Sequence, residues 1–416
     1  MKVFRRRLSA LGMAILMVIT SVFTGVGVVE ANAATAVTIT EANGWLESAY
    51  VEWKPVSGAK RYDVYVKSAS GSYTRIDDEL IRQYPGYWRA DAVGLKAGTY
   101  QMKVVATLSS GTAQVETTTL KVLAHDRSGF AFVNGTSSGA YNEDGTLKSN
   151  AKVVYVTEKT KGSFVSAIEA YCDGNYPLCV RLIGNITDAS GFDKGDLLVD
   201  NGGNDAGLTI EGIGEDAVAN GWGIRLKNSS NVEIRNIGIM NCDSSEGDNV
   251  GLQQGNDHVW VHNCDFFYGD AGSDADQAKG DGALDTKKSQ YVTHSYNHFW
   301  DSGKTHLNGN GDTTLNYITY HHNWYDHSDS RHPLVRVSSA VHVYNNLYDG
   351  VSKYGMICRL GASIFAEANY FKDTTKPMLI SQQGTDMANG DPIASDAGGM
   401  IKAYGNVYDN TTKPVT

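Results

Sequence analysis

Proline is scarce in this chain, seven residues in 416, and cysteine scarcer still at five. Beside 45 glycines and 23 tyrosines, that shortage suits a turn-rich β protein. The odd cysteine count, at positions 172, 179, 242, 264 and 358, leaves at least one thiol free in any redox setting. Cys172 and Cys179 bracket a short turn, and Cys242 and Cys264 lie about one repeat apart. Either pair could join in an oxidising compartment, and buried free thiols are the equal alternative. No CxxC pair or histidine-rich spacing points to zinc. Net positive charge is also missing. The formal net charge is −10, which argues against a nucleic-acid partner. An acidic polymer would be repelled overall and would bind only through a local basic patch or a bridging cation.

Long apolar runs are absent beyond the first thirty residues or so, which excludes a later membrane-spanning helix. At the N-terminus Lys2, Arg5, Arg6 and Arg7 precede an apolar stretch from Leu8 to about Val29, and Ala31-Asn32-Ala33 offers a small-x-small cleavage site. Residues 1–33 therefore read as a secretory signal rather than an anchor. Its removal takes four basic residues and one acidic one, and the net charge goes from −10 to −13. The mature protein is expected to be extracellular, soluble, free of the membrane and monomeric.

What the chain has in plenty is a returning phrase, a short β-branched or aromatic run closed by Asn, a spacer and an aromatic or aliphatic residue. It reads Val292 to Phe299, Ile318 to Tyr325, Val341 to Tyr348, Ile364 to Phe371 and Ile401 to Tyr408. The asparagines Asn297, Asn323, Asn346, Asn369 and Asn406 are 26, 23, 23 and 37 residues apart. A period in the twenties marks a solenoid, whose coils bury their apolar faces only against each other. The phrases alternate like strands and lack helical spacing. The fold expected is all-β, a right-handed parallel β-helix over 151–416 with its asparagine amides stacked in a ladder. Coils are expected from about Leu208. Ahead of them Ser163 is placed to N-cap a helix bearing Phe164, Ala167, Ile168 and Tyr171 on one face, and Leu178 to Ile186 reads as a strand. Thr416 falls just after a repeat phrase with no evident cap, so the C-terminus is expected to be truncated.

Residues 35–123 lack the phrase and read as a small β-sandwich. Trp53, the Tyr62/Tyr65 alternation and the Leu95-x-x-Gly98-x-Tyr100 turn resemble a fibronectin type III module. Its role is a spacer or a carbohydrate-binding module. Residues 124–150 form the linker and lead-in.

The chemistry-bearing residues fall on successive coils. Glu246 and Asp248 lie on one, and Asp281 and Asp285 on the next. Alternation puts Asp281 and Asp285 on one side of a strand. Clustered hard oxygen donors with room for water or substrate suit Ca²⁺. The bland reading is solvated turn aspartates, the class to which Asp270, Asp274 and Asp276 belong. Lys304, Arg331 and Arg336 follow within one or two turns and could line the same groove. Carboxylates with Ca²⁺ beside Lys and Arg form a site for a polyanion bearing carboxylates. The residues alone leave Lys304 and Arg331 both open as a base, and also His306, His321, His322 and His332, which read as structural or groove-lining.

Val259-Trp260-Val261-His262-Asn263, Asp281-x-x-x-Asp285, Tyr291 to Asn297, Lys304-x-x-Leu307-x-Gly309, Tyr320-His321-His322-Asn323 and Arg331-x-Pro333-x-x-Arg336 resemble, in order and spacing, the pectate lyases of polysaccharide lyase family 1. The resemblance covers about 150–410 and is densest from 246 to 349. It implies Ca²⁺ held by Asp248, Asp281 and Asp285, with Glu246 at a position acidic in some members. It also implies Arg331 as proton-abstracting base, and Lys304 and Arg336 as holders of substrate carboxylates. The activity implied is Ca²⁺-dependent β-elimination of polygalacturonate in plant cell walls, giving 4,5-unsaturated oligogalacturonides. One departure is that the usual Trp-x-Asp-His reads Trp260-Val261-His262-Asn263. Rival readings are a pectin lyase on methyl-esterified chains, which would need no calcium carboxylates, a polygalacturonase, which would want an Asp pair on a coil, and a non-catalytic β-helix carbohydrate-binding protein.

Overall fold

Each repeat phrase folds as a strand, a corner and a second strand. Ser289–Ser295 runs to Tyr296, whose φ of 55° turns the chain, and His298–Trp300 leaves the corner in a new direction. The same left-handed residue precedes the other ladder asparagines: His322 (φ 55°), Asn345 (54°), Ala368 (51°) and Gly405 (64°). A single left-handed residue makes a sharp bend that helix and strand dihedrals cannot. Asparagine holds the bend by side-chain bonding. Asn297 Nδ2 donates to Asn323 Oδ1 (3.2 Å), Asn323 to Asn346 (3.0 Å), Asn346 to Asn369 (2.9 Å) and Asn369 to Asn406 (3.0 Å). The amide ladder is formed as expected.

This computed structural model describes residues 36–187, 191–202, 204–267, 281–381 and 396–411. The expected signal segment and Asp270, Asp274 and Asp276 lie outside the described residues. Among those described, the coils build three parallel sheets. A ten-stranded sheet runs from Lys152–Val156 to Met400–Tyr404, a nine-stranded one from Asn185–Thr187 to Val407–Asp409, and an eight-stranded one from Asp196–Asp200 to Met378–Ile380. The architecture is the parallel β-helix expected. Its stack opens at Lys152–Val156 rather than near Leu208, with Val154 beside Val180 and Val180 beside Ile210. These first coils lack the asparagine phrase, so only strand pairing reveals them. The stretch from Leu178 is two strands, Leu178–Leu182 and Asn185–Thr187, divided at Gly184 (φ 73°).

Stacking in register lines up like residues inside the helix. The middle positions of the nine-stranded sheet run Ile239, Phe266, Phe299, Tyr325, Tyr348, Phe371, Tyr408. Their rings stack at 4.8, 5.4, 4.8, 4.3 and 5.5 Å from Phe266 onward. Aromatic contacts of this kind add to the burial of the rings themselves. All five cysteines are free thiols, and four of them are buried. Helix α1 (Phe164–Cys172) contributes Phe164, Ile168 and Tyr171 to the same core, and Phe164 meets Trp222 at 6.0 Å. Ala167 is only half buried. The Ser163 side chain does not cap the helix and donates instead to Thr160 O at 2.8 Å.

Ahead of the solenoid lie β1 (Ile39–Gly44), β2 (Ser48–Trp53), β3 (Arg61–Ser68), β4 (Thr74–Arg75), β5 (Ile81–Tyr84), β6 (Tyr87–Val93), β7 (Gly98–Leu108), β8 (Gly111–Glu116) and β9 (Leu120–Val122). They form two antiparallel sheets, ordered β1-β2-β6-β5 and β4-β3-β7-β8, with β9 beside β7. Buried Trp53 packs against Tyr62 and Trp88. This module is not loosely tethered. Glu47, between β1 and β2, is fully buried and pairs with Arg127 (2.5 Å) and Arg235 (3.4 Å). Arg235 also holds Glu233 (3.1 Å) and Glu211 (2.7 Å), and Arg181 holds Glu211 from the other side (2.9 Å). The segment after the module lies along the ten-stranded sheet. The Phe130 N–H donates to Thr319 Oγ1 and the Ala131 N–H to Thr293 Oγ1, both at 3.0 Å.

Candidate active site

The eight-stranded sheet and the loops at its edges collect the acidic and basic residues singled out from sequence. Gly251 pairs with Asp285, Thr286 with Asn308, and Leu307 with Leu334, so the strands carrying Asp285, Leu307 and Leu334 stack in succession. Lys304 bridges to Ser330, one residue before Arg331. Parallel pairing therefore brings Asp285, Lys304 and the segment that carries Arg331 and Arg336 onto successive coils at one sheet.

Asp248 and Asp285 are buried, each 2% exposed, while Glu246 and Asp281 sit nearer solvent. Asp248 Oδ1 accepts the Gly282 N–H at 2.8 Å, and Asp285 Oδ1 accepts the Leu307 N–H at 2.9 Å. Position 282 has to be glycine. A Cβ there would lie 2.4 Å from Asp285 Oδ1 and 2.8 Å from Asp248 Oδ1. Lys287 stands among these acids, its Nζ 3.1 Å from Glu246, 3.3 Å from Asp248 and 3.5 Å from Asp285. Lys304 Nζ contacts Asp281 Oδ1 at 3.1 Å.

Four carboxylates thus meet two ammonium groups. Burial and the neighbouring Asp285 push the Asp248 carboxyl well above the usual range, and burial raises Asp285 although Lys287 and Arg331 pull it down. Lys287 is desolvated, yet the carboxylates hold its ammonium above its ordinary range. Excess acidity of this kind calls for more positive charge. The all-oxygen donor set fits a hard divalent cation, and Asp248, Asp285, Asp281 and Glu246 are the residues that would hold it. Lys287 was not assigned a role from the sequence. It stands just past the end of the strand Leu284–Thr286, and only coil stacking brings it to Glu246 and Asp248.

The basic residues form the other half. Arg331 has φ of 65° and neighbours both Asp285 and Tyr354. Arg336 donates from Nε to Gly309 O (2.7 Å) and from Nη2 to Asn310 Oδ1 (3.1 Å). Its guanidinium is pushed below its ordinary range by burial, then by Arg359 and Arg331. Arg359, anchored by Asp396, is a third guanidinium that motif reading did not single out.

The histidines do not share this groove. His294, His306 and His332 are fully buried inside the coils, where burial lowers all three, His294 and His332 to about 3. His306 Nδ1 lies 2.9 Å from Leu284 O and His332 Nδ1 3.1 Å from Tyr354 O. His321 and His322 lie at the end of a strand of the ten-stranded sheet. The departure at Trp260-Val261-His262-Asn263 is compensated locally. His262 Nε2 is 3.0 Å from Glu233 and its Nδ1 2.8 Å from Asn263 Oδ1, so both ring nitrogens have partners.

Among solved structures, the chain resembles a pectate lyase from Bacillus sp. N165 in complex with trigalacturonate. The TM-score is 0.56 at 27% identity, over 69% of this chain and 89% of that one. Among curated proteins it is 30% identical over 259 residues to a pectate trisaccharide-lyase of Bacillus licheniformis, covering 60% of this chain and 69% of the relative. It is 32% identical over 273 residues to pectate lyase 1 of Pectobacterium carotovorum, covering 62% and 71%. Fold and relatives together define a polysaccharide lyase built on a parallel β-helix. The profile of the pectate lyase family matches residues 102–413, and the chain belongs to that family.

Proposed function

We propose that the protein is a secreted, monomeric pectate lyase that cleaves α-1,4-linked polygalacturonate by Ca²⁺-dependent β-elimination. The observation that carries this reading is a single groove with excess carboxylate at Asp248 and Asp285 beside the cations Lys304, Arg331 and Arg336. The relatives' names and the N165 lyase's complex with trigalacturonate support the substrate class. Export rests on the basic and apolar start of the chain. No helix among the described residues is long and apolar enough to cross a membrane.

In this reading Asp248, Asp281 and Asp285, with Glu246, would hold Ca²⁺, which would supply positive charge against the substrate carboxylates. Lys304 and Arg336 bind the uronate carboxylate, Arg336 from a guanidinium already aimed by Gly309 and Asn310. That neutralises the α-carboxylate and stabilises the enolate-like charge that develops as the C5 proton leaves. Arg331, acting as the neutral guanidine, takes the proton, the C5–H pair becomes the C4–C5 double bond, and the C4–oxygen bond breaks with the departing oxygen taking a proton from water, to give the 4,5-unsaturated end. The N-terminal sandwich is read as a fibronectin type III-like spacer, an assignment its two-sheet order β1-β2-β6-β5 and β4-β3-β7-β8 supports. The test is ultraviolet detection of unsaturated product from polygalacturonate, with added Ca²⁺ and with chelator. Full activity in excess chelator refutes the calcium requirement, and no unsaturated product refutes the lyase reading.

A further inference from the structure

Adjacent residues on a β-strand point to opposite faces. His321 and His322 break that rule because the strand Asn316–His321 ends there and His322 takes the left-handed corner, φ 55°. The corner swings the two imidazoles together until Nδ1 faces Nδ1 at 2.9 Å. The carboxylate of Asp126 closes the group, with Oδ2 4.0 Å from His321 Nδ1. The donor atoms of all three residues lie within 4.8 Å of one another. We propose that Asp126, His321 and His322 form a zinc(II) site, separate from the groove, which pins the 124–134 segment to the ten-stranded sheet.

The donor set is the first argument. Two imidazoles and a carboxylate, with a fourth position left for water, suit zinc, whereas the groove's all-oxygen donors suit calcium. Geometry is the second. Nitrogens ~2.0–2.1 Å from a tetrahedral zinc stand about 3.3 Å apart, so the imidazoles need open only slightly and Asp126 close by roughly half an ångström. Asp126 lies outside the sheet with its side chain 40% exposed, which gives an ion a way in.

The third argument is that the surroundings already hold the ligands still. The ring of His321 lies parallel to Tyr344 at 4.9 Å, and that of His322 parallel to Tyr296 at 4.6 Å. The far nitrogen of His321 has a polar neighbour, Ser128 Oγ at 3.5 Å. Asp126 accepts from Tyr296 OH (3.0 Å) and from the Ser128 N–H (3.2 Å). Metal-binding histidines and carboxylates typically have such a second layer of hydrogen bonds, and it raises affinity.

The experiment is zinc titration of the full chain, stripped with chelator and then saturated with CaCl₂ so that the groove is loaded. One ZnCl₂ per chain is expected to bind and raise Tm. Cobalt(II) in its place should give the visible bands of a tetrahedral nitrogen-ligated ion, a readout that needs no variant. Asp126→Asn and His322→Gln should each weaken zinc binding by about 100-fold, and Tyr296→Phe by roughly 10-fold, the effect expected of a second-layer partner. His342→Gln, another histidine beside a carboxylate (Glu367, 3.1 Å), should leave it unchanged. No zinc uptake by the calcium-loaded protein overturns the proposal. So does uptake undiminished in both Asp126→Asn and His322→Gln.

Discussion

Among the described residues, two of the regions that bury charge do it in opposite ways. Beneath the N-terminal sandwich, Glu47, Glu211 and Glu233 interleave with Arg127, Arg181 and Arg235. Burial there disfavours ionisation of Glu211, but Arg235 and Arg181 outweigh it and bring the carboxyl to about 2. In the groove, burial and carboxylate repulsion act together at Asp248, which rises. The first region has a partner for every charge and behaves as a joint. The second separates its charges: Glu246, Asp248, Asp281 and Asp285 crowd around only Lys287 and Lys304, while Arg336 a little further on donates to Gly309 and Asn310, which leaves one end ready for a cation and the other for a polyanion. Burial alone does not mark a functional site; the imbalance does.

The comparison breaks most sharply at Arg331. Arg331→Lys keeps the charge but changes reach and geometry, and kcat on polygalacturonate should fall by about 1,000-fold or more with KM and Tm little changed. Arg336→Lys should raise KM as well, because a bidentate contact becomes a point charge. Near wild-type kcat in Arg331→Lys would remove the assigned base.

The joint should respond in the opposite sense. Arg235→Met leaves Glu47, Glu211 and Glu233 short of a partner and should cost about 3–5 kcal/mol in denaturant unfolding. Turnover per folded molecule should stay the same. A large drop in kcat at unchanged stability would mean that the joint shapes the groove.

The double change Asp281→Asn with Asp285→Asn sharpens the other side. It should lower the rate and weaken its calcium dependence together, by about 100-fold in the Ca²⁺ concentration for half activity. An unchanged calcium curve would show that the ion binds elsewhere.

The smallest effect is a pH term outside both regions. Burial disfavours a charge on His298, but Asp265 and Asp326, at 3.2 and 3.1 Å, raise it from 6.5 to about 9. A raised folded pKa stabilises fully below the unfolded value and fades as pH climbs through the folded one. His298→Gln should therefore lose up to ~3 kcal/mol at pH 6, with the difference from wild type vanishing by about pH 10. A difference constant across that range would show that packing, not charge, is lost.

Much of this was legible before folding. The asparagine spacing at 297, 323, 346 and 369 is itself the coil length, because each coil must return the same amide to the same corner. The acids and bases stood in the motifs, but strand alternation does not relate 281 to 285, because the strand spans only Leu284–Thr286. The coils before Leu208 were not legible, because Val154 and Val180 carry no repeat mark and only pairing identifies them. Lys287 and Arg359 were not singled out, since nothing local shows which charge a neighbouring coil will present. His321 and His322 read as structural or groove-lining, and the left-handed corner at His322 that brings their rings together is visible only in the fold.

What the sequence determined by itself, then, was periodicity and chemistry: a coil's length, its apolar faces and which residue types each turn carries. Only the tertiary structure decided the balance of charge, by stacking one coil's acids on another's cations or leaving them unmatched. The reason is range. Periodicity is written along one strand, whereas the electrostatic state of Asp248 is set by Asp285 and Lys287, which stand beside it only after the coils have stacked.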